Sequence, residues 1–239
     1  MPRRIDVHSH MLPGIDDGCE DLDQSLESIA RLMACGYVGS VCTPHIWPDV
    51  FPGNTPSHIQ GLTAQLQREL DARGIAYRLW PGGELRLFKA AIKWLEQHGV
   101  PTLAGSRFVL CDLWEDRWPK HADQTLDYLL EKGYTPILAH PERMNLDGKL
   151  AAQLTALTER GVLLQGNFNC LTGGEGPLAA ERVRRFLHEG RYALMAMDMH
   201  RPDALDTRLE GLQIMIEEFG VREADRLTDR APHEILGIE

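Results

Sequence analysis

Cysteine is scarce in this 239-residue chain, and no two of its five cysteines form a C-x-x-C pair. An odd, widely spaced set (Cys19, Cys35, Cys42, Cys111, Cys170) does not build a disulfide framework. It reads as small buried hydrophobes in a reducing compartment. Long hydrophobic runs are missing too: nothing approaches the ~18 apolar residues that a membrane helix needs. Arg3 and Arg4 are followed by no apolar segment of the signal-peptide kind. A cytoplasmic protein without direct membrane insertion is expected. Positive charge is in deficit, with a formal net charge of -10, which argues against a general nucleic-acid or anionic-membrane surface. An acidic chain can instead hold divalent cations, which offset part of its charge. No long Ser/Gly/Pro linker interrupts the sequence, so one domain over residues 1–239 is expected.

What is present is alternation. A β-prone run that starts at Ile5 and Val7 and leads into His8-Ser9-His10, and further runs at Val38–Thr43, Ile75–Trp80, Phe108–Cys111, Thr135–Ala139, Val162–Gln165 and Tyr192–Met197, are each followed by a helical pattern. The helices carry apolar residues at three- and four-residue spacing, such as Leu22, Leu26, Ile29 and Met33, or Phe88, Ile92 and Leu95, or Leu178, Val183 and Leu187. Six of them stop at a glycine: Gly36, Gly74, Gly99, Gly133, Gly161 and Gly190. Seven strand-then-helix units imply parallel strands and an α/β fold, with a seven-unit barrel as the expected form and an open doubly wound sheet as the alternative. A short tail follows the last helix. Trp47–Pro56, rich in proline, reads as a surface loop, with a lid as the alternative.

The strand ends carry the chemistry. His8 and His10 are two apart on an extended run, so both imidazoles face one way. Pro13-Gly14 then turns the chain, and Asp16-Asp17 brings carboxylates back towards them. His45, Glu84, Asp112, His140, Asp198 and His200 also fall at the C-terminal ends of expected strands, the edge where α/β enzymes place their sites. The other histidines (His58, His98, His121, His188, His233) fall on helices or loops and read as surface residues. The donor set exceeds the needs of one ion, since a catalytic zinc takes about three protein ligands. It suits two or three divalent ions sharing carboxylates, a device that clamps phosphate oxygens. Nitrogen and oxygen donors without thiolate suit manganese, iron or zinc.

On these motifs the chain resembles the PHP (polymerase and histidinol phosphatase) superfamily, whose fold is a distorted seven-stranded (β/α)7 barrel with a trinuclear metal site. Within it, DVHSHMLPGIDDG (6–18), TPH (43–45), GGE (82–84), AHPER (139–143) and D-x-H (198–200) are similar to the bacterial protein-tyrosine phosphatases of capsule and exopolysaccharide operons. The resemblance runs from residue 5 to about residue 220. It implies metal ligands at His8, His10, Asp17, His45, Glu84, His140, Asp198 and His200. Asp16 is then a hydrogen-bonding neighbour, Glu84 bridges two ions, and Arg143 contacts the phosphate. The implied cofactor is two or three divalent ions, manganese foremost, with iron or zinc as alternatives. The implied substrate is a phosphotyrosine protein, on the tail of a cognate membrane-associated bacterial tyrosine kinase.

Three departures stand out. Asp112 occupies a position where the family has glutamate, one methylene longer, so a displaced or weaker ligand is expected there. Met144 replaces an aromatic residue, and Met197-Asp198-Met199-His200 replaces Ser-Asp-Ala-His. Glu115 and Asp116 are expected to face solvent. The C-x5-R loop of thiol-based phosphatases is absent: only Cys111 has an arginine six residues on, Arg117, and the intervening DLWED is acidic and lacks glycine. It cannot cradle a phosphate with backbone amides. A small-molecule phosphatase, such as one for histidinol phosphate, is the second reading. A non-catalytic, metal-stabilised module is the third, and Asp112 is what favours it.

Overall fold

The computed structural model describes residues 2–115, 117–145 and 148–238. Among them are nine strands: β1 (Arg4–Ser9), β2 (Tyr37–Cys42), β3 (His45–Ile46), β4 (Arg78–Pro81), β5 (Glu84–Arg86), β6 (Phe108–Asp112), β7 (Thr135–Ala139), β8 (Leu163–Asn167) and β9 (Leu194–Ala196). The helices are α1 (Leu22–Ala34), α2 (Pro56–Ala72), α3 (Ala91–His98), α4 (Lys120–Glu131), α5 (Leu150–Glu159), α6 (Phe168–Leu171), α7 (Pro177–His188), α8 (Leu205–Phe219), α9 (Val221–Asp225) and α10 (Ala231–Leu236). Local signals set several boundaries. Asp21 accepts from the Gln24 N–H to start α1, and Thr55 accepts from the His58 N–H to start α2, with Pro56 in its first turn.

All strand pairing is parallel. The hydrogen bonds do not draw one closed seven-stranded barrel. They draw two sheets, one ordered β1-β2-β4 and the other β3-β5-β6-β7-β8-β9. The reason lies in two breaks. The second expected strand is interrupted at Thr43-Pro44, where proline has no N–H to donate. The third starts late, at Arg78, and is interrupted at Gly82-Gly83. Register survives both breaks: Cys42 pairs with Pro81, and three residues on in each strand His45 pairs with Glu84. The first pieces belong to one sheet and the second pieces to the other. Backbone bonds also join the sheets where β1 meets the turn after β9, from Asp198 N–H to His8 C=O (2.9 Å) and from His10 N–H to Met199 C=O (2.8 Å).

The core has two parts. Ile5, Val7, Val41, Leu110, Ile137 and Leu194, from strands of both sheets, gather in a common interior. A larger layer lies between strands and helices and includes Ile29, Leu32, Leu126, Leu154 and Val183. The expected tail is helical instead, and Leu236 of α10 is buried against the smaller core. Pro232 sits in the first turn of α10, where its missing N–H costs nothing. Phe88 precedes α3 rather than joining it. Met33 and Leu178 sit at the edge of their helical stripes and are exposed. Among the described residues no helix is long and apolar enough to cross a membrane.

Candidate metal centre

The loop after β1 is folded back hard on the strand. A Cβ added at Gly18 would lie 1.9 Å from the His10 carbonyl oxygen, so only glycine fits there. That close approach lets the Cys19 N–H bond the same carbonyl (3.0 Å) and sets Asp16 beside His10. The His10 Nδ1–H donates to Asp16 Oδ2 (2.7 Å), and the His45 backbone N–H donates to the same oxygen (3.0 Å). Asp16 is thus the hydrogen-bonding neighbour. Asp17 points onward, half exposed, with its Oδ1 3.3 Å from His45 Nε2 and 3.6 Å from His200 Nε2.

Ring orientation is set from behind. The His8 Nδ1–H donates to Gln165 Oε1 (2.9 Å), which leaves Nε2 free. His8 Nε2 and His10 Nε2 then stand 3.3 Å apart. The Glu84 side chain, 1% exposed, is the hub. Its Oε1 lies 3.4 Å from His8 Nε2 and 3.1 Å from His140 Nε2, and its Oε2 lies 2.7 Å from His45 Nδ1. Asp198 Oδ1 is 3.3 Å from His8 Nε2 and 3.5 Å from His10 Nε2. His140 and Asp198 both hold positive φ, 34° and 48°, a strained backbone for non-glycine residues. Each follows a strand end, β7 or β9, and the turn aims its side chain at the hub.

Three overlapping groups of donor atoms result: His10, Asp17, His45 and His200; His8, His10 and Asp198; and His8, Glu84 and His140. Every ligand position expected from the sequence falls in one of them except Asp112. That carboxylate is buried beside them, its Oδ1 3.7 Å from His140 Nδ1 and without a hydrogen-bond partner. Glu84 Oε2 is also buried without a partner in hydrogen-bond geometry. Buried carboxylate oxygens left unbonded among imidazole nitrogens fit divalent cations, which would satisfy both at once.

Electrostatics agree. Burial pulls the His10 imidazole down, but the Asp16 carboxylate beside it prevails and holds it up at about 9. His45, between Glu84 and Asp17, is held up at about 11 against the same burial. Asp17 is lowered to about 2 by its bond with His45. Burial, with Glu84 adding repulsion, raises Asp112 to about 6. Without a cation, therefore, protons on imidazoles balance the buried carboxylates, and metal binding must displace them.

Arg143 reaches in from the turn after His140, its NH1 3.2 Å from Asp198 Oδ2 and its Nε 3.5 Å from Glu175 Oε2. With Asp17, His45, Glu84, His140, Asp198 and His200 it lines a cavity of about 190 Å³. A further set of residues, not expected from the sequence, supports the site. Asn167 donates to Asp198 Oδ2 (2.7 Å), and its backbone N–H donates to Glu142 Oε1 (2.7 Å). The Tyr192 hydroxyl donates to Glu142 Oε2 (2.7 Å). Gln165 and Asn167 end β8, so the strand-end rule that found the histidines would have found them too.

Other expectations resolve differently. Asn54, in the proline-rich loop, is buried, and its amide donates to the carbonyls of Ile15 (3.1 Å) and His45 (2.8 Å), so that surface loop is tied to the site. His58, His98 and His188 are exposed, but His121 and His233 are half-buried and bond backbone carbonyls. Glu115 is half-buried and lies 3.5 Å from His121 rather than facing open solvent. Asp116 lies outside the described residues. Cys19, Cys42, Cys111 and Cys170 are buried and free, Cys35 is half-buried and free, and burial pushes the Cys111 thiol far up.

Fold and site together define a class: an α/β protein whose parallel strand ends gather imidazoles and carboxylates in several shared cation-binding groups. The chain belongs to the CpsB/CapC family of capsular polysaccharide synthesis, whose family model matches residues 4–237. It is 28% identical over 228 residues to the tyrosine-protein phosphatase YwqE of Bacillus subtilis, covering 95% of this chain and 89% of that one. It is 28% identical over 239 residues to the tyrosine-protein phosphatase CpsB of Streptococcus agalactiae, covering 97% and 98%. In three dimensions it matches a chain from the crystal structures of YwqE from B. subtilis and CpsB from Streptococcus pneumoniae, described as metal-dependent tyrosine phosphatases. That match has a TM-score of 0.86 at 28% identity and covers 98% and 95% of the two chains.

Proposed function

We propose that this chain is a metal-dependent protein-tyrosine phosphatase of capsule or exopolysaccharide synthesis. The observation that carries the reading is the sharing of His8 and His10 between neighbouring donor groups, with Arg143 lining the same cavity. His8, His10, Asp17, His45, Glu84, His140, Asp198 and His200 hold two or three divalent ions, manganese foremost, with Asp112 as a weaker outer ligand. Glu84, which faces four imidazoles, would hold two ions at once. Such ions neutralise phosphate charge and acidify a water. Arg143 orients the phosphate and stabilises its charge; Asp198 and Glu175 hold that guanidinium in place. A tyrosine leaving group, with a pKa of about 10, departs with less help than an alkyl alcohol.

The two sheets act as one distorted (β/α)7 barrel of PHP type. The preserved register across both strand breaks and the interior shared by both sheets support that reading. The whole chain works as one cytoplasmic domain. Its partner is a phosphotyrosine protein, the tail of a cognate membrane-associated tyrosine kinase.

The test is phosphate release by the manganese-loaded protein from a phosphotyrosine peptide, a phosphoserine peptide and histidinol phosphate. Preference for phosphotyrosine, abolished by chelator, is expected. Preference for histidinol phosphate would move the chain to small-molecule substrates. No turnover with metal bound would make it a non-catalytic module.

A further inference from the structure

Trp114 is the one Phe, Tyr or Trp lining the cavity over the candidate metal centre, among the described residues. It also lines a second cavity of about 180 Å³, which shares His140 and Arg143 with the first and adds the apolar side chains Leu113 and Met144. The indole is 53% exposed, a large apolar group left in water at the mouth of a buried polar site. It is nonetheless held. Its ring meets His45 edge-on (6.3 Å between centroids, 87° between planes) and lies 6.2 Å from the Trp47 ring. The Arg86 guanidinium is 3.9 Å from the Trp47 centroid and 5.9 Å from that of Trp114, so one cation sits against both indoles.

We infer that Trp114 is the specificity-determining wall of an aryl subsite, taking the phenyl ring of a phosphotyrosine whose phosphate lies over Arg143 and the metal ligands. This rests on the proposed phosphatase reading and adds what that reading lacks, a means of telling tyrosine from serine. The metal groups and Arg143 see only the phosphate, which the two esters share. Discrimination must come from what lies just beyond it. A ring placed against Trp114 gains stacking and covers indole surface exposed in its absence, and Met144 lines the same cavity. A seryl group has no ring to stack on the indole. The fixed rim means that little ordering is needed on binding.

Two non-hydrolysable probes test this on the metal-loaded full chain. Benzylphosphonate carries the ring, and methylphosphonate carries only the head group. Calorimetry on the wild type is expected to give about tenfold tighter binding of benzylphosphonate. In Trp114→Ala that preference falls below about twofold while methylphosphonate binds as before; Trp114→Phe keeps most of it. A preference that survives Trp114→Ala, equal binding of both probes to the wild type, or equal weakening of both in the variant would overturn the subsite. Turnover separates the two ideas. A wild type that shows the Trp114-dependent preference but hydrolyses no phosphotyrosine keeps the subsite and loses the phosphatase. Phosphotyrosine turnover without a benzyl preference does the reverse.

Discussion

His45 and Glu84 are opposite each other in the parallel register of β3 and β5, and their side chains meet 2.7 Å apart. Backbone pairing thus places the most connected carboxylate of the site against one of its imidazoles. Replacing Glu84 with glutamine keeps the volume but removes the charge that four imidazoles share. Metal content by elemental analysis should fall, and kcat should drop by at least about a hundredfold. Full metal content with unchanged kcat would remove Glu84 from the centre.

Asp112 stops short. Its unbonded Oδ1 is 3.7 Å from His140 Nδ1, and one more methylene adds about 1.5 Å of reach. Asp112→Glu should therefore raise metal occupancy at limiting metal, or raise kcat. If neither moves, Asp112 is not a shortened ligand.

Gln165 touches no candidate ion, yet it accepts the His8 Nδ1–H at 2.9 Å. Gln165→Leu leaves that ring free to turn. Metal affinity should weaken by about 10–100-fold, the usual cost of losing such a partner, with the fold intact by circular dichroism. Unchanged affinity would mean that packing alone orients His8.

The thiol route makes the opposite prediction. Cys111 is fully buried, with its thiol facing the Val109 carbonyl at 3.7 Å. Cys111→Ser should keep activity within about twofold while lowering stability by about 1 kcal/mol, because a hydroxyl needs a partner there. Near-total loss of turnover in a folded variant would count against metal chemistry.

pH separates the metal-free from the loaded protein. In the metal-free fold His10 is held up at about 9 and His45 at about 11, above the ordinary 6.5. The folded state therefore binds these protons more tightly than the unfolded chain. Their stabilisation is complete below pH 6.5 and is lost as pH rises through those two values. Metal binding displaces the same protons and strengthens as pH rises. The difference in Tm between loaded and chelated protein should widen from pH 6 to pH 9. A constant or shrinking difference would show that these imidazoles are neutral before metal arrives.

Much of this was legible in the residues. Histidines and carboxylates at strand ends stand out because strand, polar donor and glycine-stopped helix recur in order from His8 to His200. The breaks at Thr43-Pro44 and Gly82-Gly83 were not legible as a change of sheet. Apolar alternation records which face is buried, not which neighbour the next residue will pair with. Nor was the left-handed backbone of His140 and Asp198, since neither residue type demands it. Glu142 acts through bonds to Asn167 and Tyr192, in distant segments, and local spacing carries no trace of those.

The seam between β1 and the turn after β9 has a temporal consequence. His8 comes near the start of the chain and Asp198 near its end, and their backbones and side chains meet only when those ends are joined. Contacts of such sequence separation form late, after a long loop has closed. A nascent or truncated chain therefore carries the histidines of the first strand with no opposing carboxylate from the last. Competence for chemistry therefore waits on the joining of the first strand to the last.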